Sequence, residues 1–541
     1  MLGRAGVLAG LCAAIVVAQP AKTTGVFSGT VVDSTTRQPI VKASIHLKAN
    51  PSYSATTDAD GTFRFEAVKP GEYQLEITHR GYTPARAVAL KPGQTNSIVR
   101  IQAGQEIGGA MAALDPEAVV TGHVTNSAGD PMPGASVWRI VEFWQNGARL
   151  YELAGSAETG DHGEFRMTAP AGDCFLAAHR EASPRTFSTE PGGPEKHVAM
   201  VFYPNAPGVA SAELISLKPG QQLGGMDFKL PDAVVYHIRG RIQGVGAARY
   251  LYLGKRSLDR IQGHPIGTLV DKDGTFDLPG VEPGSYWIEV EPIQTNLTGR
   301  SAVDVTDHDV SGLKLAAAPG PRIEGAARFD GEPSVGISKL SLQFDMLDYF
   351  QFHSGGVMPI AADGTFSSKS GVMPGHYALT LERGYNAYIK SVVIDGREAS
   401  AGNLDYSRGS PGKLEIILGS AAGQVSGTVH WPELLPGDPP PLPGAPLYAV
   451  LIPTETETGN ISSRVEDIDD FGFEFDYVPP GKYAVFVTTY KDDGLWQNRD
   501  FVRAISGSGT PVDMSKPDRV KVQVPPIADS EIRRAIAQVP R

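Results

Sequence analysis

The chain has 541 residues, too many for one hydrophobic core, so about four or five domains are expected. With 41% hydrophobic and 20% charged residues the composition is that of globular protein, while 62 glycines and 42 prolines signal frequent turns and favour an all-β chain. A formal net charge of −12 repels a phosphate backbone, and no dense Lys/Arg run offsets it, so nucleic acid is not expected as a partner.

Residues 1–18 read as a cleavable export signal. Arg4 supplies the positive start, Ala5 to Ala18 is apolar and uncharged, and Val16-Val17-Ala18 offers small residues before a cut near Gln19. The apolar stretch is shorter than the roughly 20 residues a bilayer-spanning helix needs. Leu11 stands before Cys12, where a lipidation signal requires a small residue. An exported protein is expected, periplasmic, surface-bound or secreted, with no transmembrane anchor once the signal is removed. Cys174 is then the single remaining cysteine, and core packing rather than a disulfide must hold each domain.

One pattern then recurs five times. The first copy is Asp60-Gly61-Thr62-Phe63-Arg64-Phe65, followed by Pro70-Gly71-Glu72-Tyr73-Gln74-Leu75-Glu76-Ile77. The second is Gly163-Glu164-Phe165, then Gly172-Asp173-Cys174. The third carries Gly274, Phe276, Gly284 and Tyr286, and the fourth Gly364, Phe366, Gly375 and Tyr377. The fifth carries Gly472, Phe473, Gly481 and Tyr483. The two glycines stand 10, 9, 10, 11 and 9 residues apart. Asp-Gly makes a turn, Phe-x-Phe sends both rings to one face of a strand, Pro-Gly makes a second turn with Gly in the left-handed position, and the tyrosine resumes period-two alternation. Each copy is opened by an element such as Ser28-Gly29-Thr30-Val31-Val32 and closed by one such as Ile98-Val99-Arg100-Ile101. The count of short strands predicts a tandem array of about five immunoglobulin/prealbumin-like β-sandwich domains, at residues 24–103, 117–232 (with a long excursion), 233–318, 319–419 and 420–526. Repeats of this length carry their own cores, so a string of separate beads is expected. Residues 527–541 are a tail, short helix or disordered.

The first copy, from Gly29-Thr30-Val31-Val32 through Tyr73-Gln74-Leu75-Glu76-Ile77, resembles a carboxypeptidase regulatory-like domain, a prealbumin-like sandwich related to collagen-adhesin B-type and starch-binding-like modules. The later copies match more loosely. The resemblance implies the fold, and for function it implies spacers, folding aids or carbohydrate binders. In adhesin modules of this kind a glutamate four residues after the tyrosine assists a Lys–Asn cross-link. Here Glu76 follows Tyr73 by three, on the solvent side, so no cross-link is expected.

Motifs for chemistry are sparse. His430 and Glu433 have metallocarboxypeptidase spacing but no third ligand, and Ser311 and Lys314 lie three apart on a strand, facing opposite sides. Asp58-Ala59-Asp60-Gly61 and Asp271-Lys272-Asp273-Gly274 resemble half a calcium loop, yet Ala67 and Gly280 stand where its bidentate glutamate belongs. No catalytic residue, cofactor or metal is expected. Binding is the better prospect. Trp138 is expected to face outward beside Phe143, Trp144 and Tyr151, a platform for stacking on sugar rings, unless those rings pack against a neighbouring domain or the excursion from Arg180 to Pro204. Tyr349-Phe350-Gln351-Phe352 is a weaker candidate, and Pro436 to Pro443 reads as a stiff loop. The expected function is a non-catalytic exported binding or spacer protein, its partner a polysaccharide or a cell-envelope protein. The alternatives are a carbohydrate-binding protein and, more remotely, a hydrolase accessory or metal-dependent enzyme.

Overall fold

The computed structural model describes residues 23–85, 88–90, 98–180, 194–244, 250–256, 261–262, 266–290, 297–347, 356–382, 386–420, 423–430, 447–454, 463–468, 472–516 and 518–540. The export signal, Tyr349 to Phe352, Glu433 and the loop from Pro436 to Pro443 lie outside them. The chain forms two compact units, the first ending at Leu114 and the second holding the rest.

The same two-sheet plan is built five times. In the first unit, Gly25–Asp33 is the centre of a three-stranded sheet, antiparallel to Thr62–Val68 and parallel to Glu106–Leu114. Facing it is a four-stranded sheet ordered Tyr53–Thr56, Ser44–Lys48, Gly71–Thr78, Ile98–Ile101. The parallel partner is reached only by crossing to the second sheet and back, which joins the two layers topologically. Two expectations change here. Ile98–Ile101 is an edge of the second sheet, and the closing strand is Glu106–Leu114, beyond the expected boundary at residue 103. Its inward residues Ala110 and Ala112 are small, with only Leu114 large, which hid that strand from a search for large apolar residues.

In the second unit the opening strands Ala118–Asn126, Tyr236–Gln243, Glu324–Phe329 and Gly423–Val429 take the same central place. Their parallel partners are Phe228–Leu230, Val310–Ala316, Leu414–Ser420 and Arg519–Val524. Each sandwich is filled by its own aromatic and aliphatic side chains. Phe276, Tyr286 and Ile288 are buried in the third, Phe366, Tyr377 and Leu379 in the fourth, Phe473, Phe475 and Tyr483 in the fifth.

The repeated tyrosine does more than fill space. Its hydroxyl donates to the carbonyl oxygen four residues earlier: Tyr73 to Lys69 (2.8 Å), Tyr286 to Glu282 (2.9 Å), Tyr377 to Met373 (2.6 Å) and Tyr483 to Pro479 (2.8 Å). The bond fixes the turn that enters the strand and satisfies a polar atom that burial would otherwise strand. In the second copy Cys174 replaces it, a buried thiol that desolvation pushes up. The Asp-Gly glycines Gly61, Gly163, Gly274 and Gly364 have φ of 70°, 75°, 87° and 85°, the left-handed region their turn demands. Of the second-turn glycines, Gly172 and Gly481 have positive φ (133° and 156°), but others differ from expectation. Gly71 and Gly284 are not left-handed; a Cβ on Gly71 would be in ordinary contact with the Tyr73 ring at 3.5 Å, whereas one on Gly284 would crowd the Tyr286 ring at 3.1 Å.

Candidate functional site

The expected stacking platform sits on the second sandwich, on the sheet face away from its core. Strand Ser136–Gln145 sends Val137 into the sandwich core and Trp138 to the opposite face, as alternation requires. That face is covered. Trp138, Tyr151 and Phe175 pack under Phe202, Ala206, Val209 and Ala212, which belong to and follow the long excursion. Trp138 is 5% exposed, Trp144 7% and Tyr151 3%, and Phe143 is half-buried. The rings of Trp138, Trp144 and Tyr151 are covered, so the outward platform expected from the sequence is corrected to an internal packing layer, with Phe143 alone of the four partly exposed.

Trp144 is covered by a different element, one far off in the chain. It joins a cluster with Val450, Phe486, Trp496, Phe501 and Ile532 of the fifth sandwich. The fifth sandwich carries two helices, α1 (Arg499–Ile505) and α2 (Asp529–Gln538), whose apolar sides lie on the outer face of its sheet. The expected tail therefore contains a helix packed by one side, with Ile532 and Ala535 in the core layer.

The contact between the second and fifth sandwiches is specific in its polar groups. The Trp144 amide donates to Asp492 Oδ2 at 3.0 Å, while Asp492 Oδ1 accepts from the amides of Gly494 and Leu495. Desolvation pushes the Asp492 carboxyl up, and those three amide bonds oppose the shift. Asn498 Nδ2 donates to Gly147 O at 2.8 Å, and its Oδ1 caps α1 by accepting from the Phe501 amide. Arg149 donates through Nη2 to Ile536 O (3.0 Å) and Val539 O (3.2 Å), placing a cation on the carbonyl end of α2. Its guanidinium lies 4.9 Å from the Trp144 ring centre and 3.3 Å from Glu142. Arg533 donates to Asp173 at 2.8 Å. Backbones meet closely: a Cβ on Gly494 would lie 2.1 Å from Trp144 O. The separate-beads expectation is corrected for this pair, because Trp144 of one sandwich is buried against the other.

The chemistry-bearing turns are committed to structure. Asp58 accepts from the amides of Asp60 and Thr62 and from the Thr62 hydroxyl, and these bonds, the hydroxyl first, hold its carboxyl below the usual range. Asp273 does the same with Thr275 and is also paired with Arg241. Glu76 is half-buried and ion-paired with Lys48 at 2.7 Å. Among the described residues no group of three or more His, Cys, Asp or Glu is placed to hold a metal ion, and no helix is long and apolar enough to cross a membrane. An open groove of about 740 Å³ runs over the outer face of the second sandwich, where His123 and Asp227 face each other at 3.5 Å beside Glu164 and Arg166.

The two-sheet plan, the corner tyrosine and the Asp-Gly turn together define the first sandwich. Residues 26–103 match the carboxypeptidase regulatory-like domain family. No curated protein is similar enough in sequence to match the chain. Among solved structures, the chain is similar to the TIE protein of Bacillus anthracis at 10% identity and a TM-score of 0.17, covering 55% of this chain and 51% of that one. A streptococcal ancillary pilin aligns at 10% identity and 0.20, over 54% of this chain and 99% of the pilin. GBS52, a minor pilin of Streptococcus agalactiae, aligns at 10% and 0.22, over 39% and 97%. The chain thus spans about half the length of the first of these. The regulatory-like match ends at residue 103, whereas the sandwich it belongs to closes at Leu114.

Proposed function

We propose that this chain is an exported, non-catalytic scaffold whose sandwich modules hold cell-envelope partners at set positions. The observation that carries the reading is the burial of Trp144 between the second and fifth sandwiches. A hairpin that could have served as a binding surface is spent on holding the chain to itself. Four of the five copies use their tyrosine hydroxyl to fix a turn, and the turn carboxylates are saturated by local amides and hydroxyls, so the polar groups support geometry rather than turnover. The test is a hydrolysis screen of the secreted chain against peptide, ester and glycoside substrates, with and without EDTA, beside a pull-down from envelope extract. Turnover that tracks the purified chain would overturn the reading. A saturable envelope-protein partner without turnover is the expected result.

A further inference from the structure

The second and third sandwiches are joined by a short linker, and the end of the excursion lies along it. Lys196–Val198 pairs antiparallel with Asp232–Val234, and the Val235 amide donates to Glu195 O at 3.0 Å. From this segment two side chains reach the third sandwich. Glu195 Oε2 lies 3.0 Å from His237 Nε2, and His197 Nε2 lies 2.9 Å from Glu282 Oε1. Both imidazoles are largely buried, at 16% and 18% side-chain exposure.

The surroundings of His237 fix which form of the ring fits. Its Nδ1 is 2.5 Å from Asp277 Oδ1, so each ring nitrogen faces a carboxylate. A neutral imidazole has one N–H and one bare lone pair; only the imidazolium donates on both sides. The charge around it gives the same answer. Glu195, Asp277 and Asp309 converge there, Asp309 accepting from the His237 amide, and among the described residues Arg239 is the one permanent cation bonded to them, at 3.0 Å to Asp277 and 2.6 Å to Asp309. His308 lines the same cleft. Loss of the ring proton leaves three carboxylates against one guanidinium and sets a lone pair against a carboxylate oxygen. Around His197 the facing group is Glu282, which also feels Lys255, and whose carbonyl takes the Tyr286 hydroxyl.

We propose that His197 and His237 form a proton-operated clamp on the linker between the second and third sandwiches, rigid when both rings are protonated and loose when they are neutral. The sign follows from both partners. The imidazolium side is present while the rings carry both protons and is lost as rising pH removes one. The carboxylate side needs ionised acceptors and is lost in stronger acid. The hydrogen bond from His197 holds the Glu282 carboxyl below its usual range, so that limit moves down. The clamp is strongest between these two limits.

The test is hydrogen exchange of the full chain, read at the Val235 amide and corrected for the intrinsic pH dependence of exchange, at about pH 5.5 and about pH 9, the second well above the free histidine value of about 6.5. Protection should fall by about tenfold or more at the higher pH, the loss of charge-assisted bonds. In the His197→Gln/His237→Gln variant that difference should vanish, while the exposed-site control His308→Gln should keep it. Equal protection of the unmodified chain at the two pH values would overturn the proposal without recourse to any variant. So would a pH dependence that persists in the double variant.

Discussion

Gly29 stands directly across the sheet from Phe63, and the ring occupies the space a side chain on Gly29 would need. A Cβ there would lie 2.8 Å from Phe63 Cζ and 2.3 Å from the Ala110 carbonyl oxygen. The same pair recurs as Gly122 with Phe165, Gly240 with Phe276, Gly325 with Phe366 and Gly427 with Phe473. The opening-strand glycine and the aromatic after the Asp-Gly turn are thus one device, in which a missing side chain seats a ring at the centre of each sandwich.

Gly29→Ala should therefore destabilise the first sandwich by about 2 kcal/mol, the cost of overpacking against backbone that cannot retreat. Gly71→Ala should change it by less than about 0.5 kcal/mol, since its Cβ meets only ordinary contact and its backbone is not left-handed. Hydrogen exchange across Gly25–Asp33 in the two variants reads the difference.

Trp144→Ala should unfasten the second and fifth sandwiches. Truncating a buried aromatic costs about 3–5 kcal/mol, and here the cavity opens beneath Trp496 and α1. Exchange protection of Arg499–Ile505 should fall sharply, with the third and fourth sandwiches unchanged. Protection that stays intact in α1 would mean the tryptophan is a passenger.

The corner tyrosines set an alkaline limit. Burial pushes the Tyr483 phenol up to about 12, and does the same to Tyr406, which lies edge-on to the corner tyrosine Tyr377. The fold favours the protonated phenol, so this stability is fully present below the unfolded value of about 10 and is lost as pH rises from there through about 12. Phenolate absorbance and circular dichroism should change together in that window. Tyr483→Phe should cost about 1 kcal/mol at neutral pH, the worth of one hydrogen bond to the Pro479 carbonyl.

Much of this was legible in the sequence. Asp-Gly followed by Phe-x-Phe, then Gly-x-Tyr, located the paired strands of each sandwich, because turn chemistry and period-two alternation are local. What failed was the outer face. In the first copy Tyr73, Leu75 and Ile77 alternate with Gln74 and Glu76, and that sheet has a polar outer side. In the second and fifth, Cys174-Phe175-Leu176-Ala177-Ala178 and Tyr483-Ala484-Val485-Phe486-Val487 do not alternate, and both faces are buried. A continuous apolar run in a strand means a layer lies on each side. That signal was present and pointed to the covered platform around Trp138 and Trp144. Which segments supply the cover, one from the excursion and one hundreds of residues away, is a matter of tertiary packing that no local pattern encodes.

The most direct test of the scaffold account is whether the second and fifth sandwiches touch in solution. Arg533 meets Asp173 across that contact, so an Arg533→Lys variant places an amine within reach of a carboxylate for zero-length carbodiimide coupling. The account predicts an intramolecular link between the peptides bearing residues 173 and 533, at dilution where chains do not meet, and its loss on adding Trp144→Ala. A monomer that never yields that link, while other lysine–carboxylate pairs such as Lys390 with Asp330 couple readily, would contradict it.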